Sequence, residues 1–375
     1  MTTLYKRKYA LSALSLLILF TFVIPLGEVS AKVNNNKPLV WDMESLQQMK
    51  DDVANSEEAQ KIIDAADRYC AREPVVVSYQ TTITPNKHYY FSSSPYRWPD
   101  PSGSGKYIWK DGEVNPDSRK YGSARMTDMA VRCRDLSKAF YLTGDVKYYH
   151  AIVNQLKAWF IDAETKMLPT FEYAQVIPGE EGNKGNSAGM IEAYTFNTVI
   201  ESIRLTNHEK KINRRTMKAL QRWFLEFAND SENRYGKIFS RANNNISLAF
   251  DVTMTNMYLF AGKENKAKEI ADGFVERRIN KQILEDGSQP EELTRTNAFS
   301  YSIYNLTHIV DFCYLIRNWD SGFYKNNSER IEQAFNYLHQ YVAKPESFPH
   351  KQYSGWETCT KDYNVQLSRV KKLRE

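Results

Sequence analysis

One short segment of the sequence carries several side chains that could move a proton. Four hydrogen-bonding residues follow Arg295 at positions i, i+3, i+4 and i+7: Tyr301, Tyr304, Asn305 and His308. On a helix, these four side chains share one face. A guanidinium beside a phenol lowers the phenol's pKa from about 10, so we predict that Arg295 makes Tyr301 a usable base. The alternative is a tyrosine-rich core stripe whose polar tips are satisfied locally.

Three consecutive asparagines stand directly before an apolar, helix-like run that begins at Ile246. A single asparagine explains the helix start, because its side-chain oxygen accepts a hydrogen bond from a free N–H of the first turn. We expect Asn243 to be this cap. Asn244 and Asn245 would then offer amide N–H donors at the positive end of the helix dipole, where a carboxylate binds well.

Two long segments, 86–118 and 167–189, are rich in aromatic, Asn and Gly residues, and loops of that length usually bind something. Their rings could stack on sugars, and their cations and amides could hold acid groups, although each aromatic residue taken singly is more typical of packing. The candidates for a sugar-acid cleft in these two segments are His88, Tyr96, Arg97, Trp98, Tyr173, Gln175 and Asn186. Tyr304, Lys351 and Trp356 are further candidates outside them.

The elements that must position these residues are amphipathic helices, and alternating strand patterns are almost absent. Apolar residues recur at three- and four-residue steps in 56–71, 125–144, 146–162, 188–205, 214–230, 246–262, 266–283, 299–319 and 328–343. Consecutive helices without a linker predict one all-α domain. A closed ring of helical hairpins, an (α/α) toroid, buries each apolar face on its neighbours. An open solenoid is the alternative, but the sequence has no repeat of fixed length.

The N-terminal residues form a separate unit. Basic residues at 6–8 precede a short apolar run, and small residues lead to Ala31. This pattern is typical of a secretory signal peptide, residues 1–31, followed by a single domain over 32–375 in a secreted or periplasmic protein. An uncleaved anchor is the alternative, but the run is short of the ~20 residues of a membrane-spanning helix. We expect no membrane association after cleavage.

Charge and cysteine content narrow the class of ligand. Removing residues 1–31 takes away three positive charges and one negative charge, which lowers the net charge from +5 to +3. This mildly basic balance suits an acidic polysaccharide, and no Lys/Arg run suggests nucleic acid. The four cysteines are far apart and lack metal-ligand spacing, so we predict no metal site, no cofactor and no essential disulfide.

Several spaced segments resemble one known family, the polysaccharide lyases of the alginate lyase and glucuronan lyase kind. The segments, in order, are "KHYYFSSSPYRWPDP" (87–101), "YLTGD" (141–145), "WFIDAETKMLPTFEYAQVIPG" (159–179), "NNISLAFDV" (244–252), "DGSQPEELTRTNAFSYSIYNL" (286–306) and "SGWE" (354–357). The resemblance implies an (α/α) toroid with a groove and metal-independent β-elimination of uronic acid polymers. Its catalytic Asn falls on Asn245 or Asn244, its Arg on Arg295 and its Tyr on Tyr301. The family's histidine position falls on Ile246.

The chemistry explains why these residue types are needed. β-Elimination removes the C5 proton beside the uronate carboxylate, which takes on enolate charge; each preorganised donor is worth about 3 kcal/mol there. Asn244, Asn245 and Asn186 could supply donors. Tyr301 alone could move both protons where the C5 proton and O4 are syn, as in β-mannuronate and β-glucuronate, whereas guluronate requires a second base.

Two other functions remain open at the level of sequence. A catalytically inactive polyuronate-binding protein would explain the missing histidine at Ile246. A helical-toroid glycoside hydrolase would need two opposed carboxylates, but Glu291 and Glu292 are adjacent and face different directions, which leaves Asp286 as the better partner. The joint presence of Asn245, Arg295 and Tyr301 favours the lyase.

Overall fold

The computed structural model describes residues 35–77 and 83–375. The predicted signal peptide lies outside these residues, and the single-domain boundary at residue 32 stays a prediction. Thirteen helices are found in the described part of the chain: α1 (Met43–Asp51), α2 (Glu57–Cys70), α3 (Gly122–Thr143), α4 (Val146–Phe160), α5 (Thr195–Glu209), α6 (Arg214–Phe239), α7 (Asn245–Phe260), α8 (Glu264–Asp272), α9 (Asn280–Gln282), α10 (Pro290–Leu293), α11 (Ala298–Ile316), α12 (Phe323–Val342) and α13 (Trp356–Arg374).

Capping residues explain where several helices begin and end. The Ser56 and Asp145 side chains accept backbone N–H groups at the starts of α2 and α4. Gly144 ends α3 in the left-handed conformation, which glycine adopts without a steric penalty. The sequence predicted helices over 125–144 and 146–162, and α3 and α4 lie there.

The helices pack mainly on their neighbours in sequence, as helical hairpins do. Helix α3 packs on α2, α4 and α5, helix α7 packs on α6 and α8, and helix α11 packs on α12 and α13. The contact between α7 and α11 is the important one for the site, because the asparagine run begins α7 and the tyrosine face lies on α11. The resulting core is continuous and rich in aromatic rings.

The two long segments contain short strands that the sequence did not predict. Strand β1 (Phe91–Ser93) pairs in parallel with β4 (Tyr173–Val176), and so joins the two segments. Strands β2 (Arg97–Pro99) and β3 (Tyr107–Trp109) form an antiparallel hairpin with Trp98 opposite Ile108. Tyr96 precedes β2 and Asp111 follows β3, so both residues lie at the open end of this β2–β3 hairpin.

Within the described part of the chain, no helix combines the length and the apolar character that a bilayer crossing would require.

Candidate active site

Tyr301 lies on the first turn of α11, where its phenol meets a second tyrosine from the β2–β3 hairpin. The hydroxyl oxygens of Tyr96 and Tyr301 are 2.8 Å apart, which is hydrogen-bonding distance. The Tyr96 ring packs edge-on against Trp109 of the same hairpin, with ring centroids 5.3 Å apart. The hairpin therefore places one phenol directly against the residue that the sequence singled out as the base.

Arg295 lies against the Tyr301 ring, as its spacing predicted, and it has a charged partner that the sequence did not reveal. Its guanidinium carbon is 3.7 Å from the ring centroid. Its Nη2 and Nε donate to the Asp111 carboxylate at 2.6 and 3.1 Å. Asp111 also accepts hydrogen bonds from the backbone N–H and hydroxyl of Thr296. Asp111 thus neutralises Arg295 and fastens the hairpin to the segment before α11.

The prediction that Arg295 lowers the pKa of Tyr301 below its usual range is wrong. Burial raises the pKa of Tyr301 well above that range, and the hydrogen bond with Tyr96 raises it further. Arg295 does lower the pKa, but by less than these two causes raise it, and Asp111 acts against it. Tyr301 is therefore a neutral phenol at physiological pH.

The asparagine run divides its tasks differently from our expectation. The cap of α7 is Asn244, whose Oδ1 accepts the backbone N–H of Ser247 at 3.2 Å, whereas Asn243 is exposed. Asn244 can still donate its amide N–H groups. Ile246, where the family histidine would stand, is half-buried on the first turn and brings no titratable atom.

Asn245 is buried, and it is held by a carboxylate. Its backbone N–H and its side-chain Nδ2 each donate to one oxygen of Glu292, both at 2.7 Å. Burial raises the pKa of Glu292 to about 7, against the lowering effect of Asn245 and Arg295. A carboxyl group that titrates near neutral pH beside a candidate catalytic residue is a sign of function.

Two cavities lie on either side of the Tyr96–Trp109 pair. The larger one, about 660 Å³, lies between α11 and α13 and is lined by Tyr96, Tyr301 and Tyr304 together with Asn297 and Ser300. The smaller one, about 230 Å³, is lined among others by Arg97, Trp109, Gln175, Lys184 and Asn186. The space beside Tyr301 is large enough for sugar units.

Four of the predicted cleft residues lie around the smaller cavity or close to it. Arg97 stacks on Trp109 with its guanidinium carbon 5.5 Å from the ring centroid. Gln175 is buried in a left-handed backbone conformation, and its carbonyl oxygen accepts the Asn186 side-chain amide at 2.6 Å. Trp98 donates its indole N–H to the Glu113 carbonyl oxygen. A non-glycine residue held at positive φ beside a cavity often marks a binding site.

The structure places other predicted residues in packing positions. The buried ring of Tyr173 packs edge-on against Tyr89, and its hydroxyl accepts the Lys184 ammonium. Trp356 begins α13 and stacks on Phe299 at 4.4 Å, although the sequence placed it in a loop. Neither position favours stacking on a sugar.

The two remaining candidates, His88 and Lys351, form hydrogen bonds away from Tyr301. His88 bonds through Nδ1 to the Lys166 carbonyl oxygen at 2.8 Å, so its ring is fixed at the second long segment. Lys351 is exposed, and its carbonyl oxygen accepts the first N–H of α11 from Ala298. In the described part of the chain, no contact joins His88 to Tyr301.

The C-terminal half of the tyrosine face, Asn305 and His308, belongs to the core, as the alternative of a tyrosine-rich core stripe predicted. Asn305 donates its amide to the Gln289 side chain at 2.9 Å. His308 is completely buried between the rings of Tyr194 and Tyr304, each with its centroid 4.3 Å away. Of the four side chains on this face, Tyr301 and Tyr304 line the larger cavity.

Two residues of the candidate site, Asp111 and Glu292, had no predicted role in it from the sequence. Asp111 belongs to a "KDGE" turn that looks like any polar loop, and its partner is 184 positions away. Glu292 entered only as half of an adjacent acidic pair. The one available signal was "PEELTR", in which an acid precedes the predicted catalytic arginine by three residues.

Comparison with known proteins identifies the family of the chain. The profile of the alginate lyase family matches residues 76–348. A crystal structure of an alginate lyase from Bacteroides ovatus superposes with a TM-score of 0.84 at 32% identity, over 90% of this chain and 92% of that one. No curated protein sequence matches the chain.

More distant structures show the fold alone. Alginate lyase A1-III from Sphingomonas species A1 superposes with a TM-score of 0.54 at 15% identity, over 86% of this chain and 82% of that one. A variant of A1-III complexed with a tetrasaccharide superposes equally well at 16% identity, over 84% of this chain and 80% of that one. The (α/α) toroid predicted from the sequence is thereby confirmed. The chain belongs to the alginate lyase family and is a polysaccharide lyase.

Proposed function

We propose that the protein is an exported lyase that cleaves β-mannuronate or β-glucuronate linkages of a 4-linked polyuronate by syn β-elimination. The observation that carries this proposal is the position of Tyr301, which lines the larger cavity with Arg295 on its ring and Tyr96 at its hydroxyl. The relative from Bacteroides ovatus supports the substrate class, because it is an alginate lyase.

In this mechanism, the ionised Tyr301 oxygen takes the C5 proton of the uronate. The C4–O4 bond breaks as the C4–C5 double bond forms, and Tyr301 returns the proton to O4, so the phenolate is regenerated. Asn245 donates to the substrate carboxylate while it carries enolate charge, whereas Asn244 caps α7. The Tyr96 hydroxyl donates to the Tyr301 oxygen when that oxygen is negative.

The resting pKa of Tyr301 has a consequence for the pH dependence. The phenolate is the active form and it is scarce at neutral pH, so kcat/KM should rise as the solution becomes alkaline. Binding of a polyanion would by itself disfavour the phenolate, so Arg295 must offset that cost. Arg295 is the cation on the ring and therefore the group suited to do so.

The test is to incubate the purified protein with polymannuronate, polyguluronate and glucuronan, and to follow ultraviolet absorbance of the unsaturated product. We expect cleavage of polymannuronate or glucuronan and little cleavage of polyguluronate. Tyr301→Phe should abolish turnover with binding intact, whereas Tyr353→Phe, at a tyrosine that is 71% exposed, should leave it unchanged. Equal rates on polymannuronate and polyguluronate would contradict the single-tyrosine mechanism.

The family histidine gives a second arm of the same test. Ile246→His would bring an imidazole to the start of α7, beside Asn245, and should add guluronate activity if it can act as the second base.

A catalytically inactive polyuronate-binding protein is the second candidate. It is favoured by two observations: Arg295 is neutralised by Asp111, and Ile246 replaces the family histidine. Binding of polymannuronate without any unsaturated product from all three polymers, across pH 6 to 10, would establish it in place of the lyase.

A further inference from the structure

We propose that Glu292 is a positioning residue that orients the Asn245 amide and takes up a proton when a uronate carboxylate binds beside that amide. This inference rests on the proposed function, because it needs a uronate at Asn245. It adds a residue to the site and a proton to the binding equilibrium.

The first step is the geometry. Glu292 is 2% exposed and Asn245 is 3% exposed, so water does not compete for their two hydrogen bonds of 2.7 Å. The two carboxylate oxygens take the backbone N–H and one hydrogen of Nδ2. Together they fix both the position and the rotation of the amide. The second Nδ2 hydrogen is not used by Glu292, and it is the one that remains for a substrate oxygen.

The second step is the charge around Glu292. Among residues 35–77 and 83–375, no Lys, Arg or His nitrogen forms an ion pair with it, and the nearby Arg295 is paired with Asp111. The charged groups that act on it are Arg295, which favours its anion, and the exposed Glu291, which opposes it. The residues of α7 that face it are uncharged. Burial without a cation makes the anion costly.

The third step is what a substrate adds. A uronate carboxylate that accepts the remaining Nδ2 hydrogen puts a second negative charge within one amide of Glu292. Like charges at that separation favour protonation of one of the two carboxylates. The Glu292 carboxyl has a pKa of about 7, so it is already partly protonated at physiological pH. The buried carboxyl therefore takes the proton, while the substrate keeps its charge for the enolate step.

The test uses isothermal titration calorimetry on the Tyr301→Phe protein, which binds without turnover. A mannuronate oligosaccharide is titrated at pH 7.5 in buffers of different ionisation enthalpy, and the slope of heat against buffer enthalpy counts protons. We expect uptake of a large fraction of one proton, falling towards zero at pH 5, where Glu292 is already protonated. Adding Glu292→Gln should abolish the uptake, whereas Glu285→Gln, at an exposed acid of the turn before α10, should not change it.

Activity gives an independent readout. In the wild-type protein KM should rise with pH above 7, and Glu292→Gln should remove that rise while lowering kcat/KM about ten- to hundredfold, as loss of an orienting partner does. A merely structural Glu292 predicts a lower melting temperature with an unchanged pH profile of KM.

The outcomes separate this inference from the proposed function. Binding without proton uptake at pH 7.5 would overturn the role of Glu292 and leave the lyase proposal standing. Absence of binding to any uronate oligosaccharide would overturn both. If the Glu292→Gln protein does not fold, the pH dependence of uptake in the Tyr301→Phe protein still decides, because uptake that persists at pH 5 would exclude Glu292.

Discussion

Asp111 is the residue whose charge we expect to set the pH profile. It neutralises the guanidinium that lies 3.7 Å from the Tyr301 ring centroid. In Asp111→Asn the Arg295 charge is uncompensated, which lowers the pKa of Tyr301 and moves the alkaline rise of kcat/KM down by about one pH unit. Glu113→Gln, at an exposed acid of the same loop, is the control. An upward shift would show that Asp111 acts by holding the loop and not by its charge.

Replacing Asn244 or Asn245 by alanine should affect different properties of the protein. Asn244→Ala removes the cap of α7, so the free energy of unfolding should fall by about 1 kcal/mol. Asn245→Ala removes the donor that Glu292 holds, so kcat should fall by more than KM rises. Denaturant unfolding and steady-state kinetics on the same preparations measure both effects. Equal loss of kcat in both variants would mean that both amides contact the enolate.

Residue chemistry was predictable where it depended on local spacing. The distance between Arg295 and Tyr301 along the chain brought the cation to the ring, as expected. The direction of the Tyr301 pKa shift was not predictable, because it depends on burial and on Tyr96, which is 205 positions away. Pairings of that range leave no periodic trace in the sequence.

The β2–β3 hairpin is the element that completes the site, and one glycine controls its docking. Gly112 has φ +76°, and a Cβ there would overlap the Thr296 hydroxyl beside Arg295. Gly112→Ala should therefore push the hairpin off Arg295 and Tyr301 and reduce kcat/KM about a hundredfold.

Gly103 supplies a matched control for that substitution. It has the same φ of +76°, but a Cβ added there would meet nothing within 4 Å, so Gly103→Ala adds the same backbone strain, ~1 kcal/mol, without the clash. Gly112→Ala should lower the melting temperature further than Gly103→Ala, because of its clash with Thr296, and only Gly112→Ala should lose turnover. Equal activity of both variants would show that the hairpin is not needed for catalysis.

Long helices with regularly spaced apolar residues were predictable from the sequence, whereas short elements were not. Seven of the nine predicted helices are present with shifts at their ends, because each buries an apolar stripe. The segment predicted as a helix over 188–205 is a 3-10 helix from Ser187 to Tyr194 and an α-helix, α5, from Thr195. The segment predicted as a helix over 266–283 instead breaks at Gly273 into α8, a π turn (Val275–Ile279) and α9. The short strands were missed because three or four residues are too few to show alternation. Their pairing, which joins distant loops, is a tertiary effect.

At the scale of the whole molecule, the core encloses titratable groups with opposite effects on stability. Burial raises the pKa of Glu192 and Glu292, so their contribution to stability is present below the ordinary carboxyl pKa and is lost as pH rises. Among the described residues, no group forms a hydrogen bond with either ring nitrogen of His308, and burial lowers its pKa to about 3. Its imidazole stays neutral in the folded protein, whereas the unfolded chain takes up a proton near pH 6.5.

His308 should therefore destabilise the whole fold in mild acid. Because the unfolded state binds the extra proton between pH 6.5 and 3, the stability that neutral His308 contributes is complete above pH 6.5 and falls by about 2 kcal/mol at pH 5. His308→Phe, a replacement of similar shape between Tyr194 and Tyr304, should remove this loss. Comparing unfolding free energies at pH 7.5 and 5 cancels any change in packing, and His339→Phe at an exposed position should keep the wild-type difference. A His308→Phe protein that loses as much stability as the wild type would place the acid sensitivity elsewhere in the core.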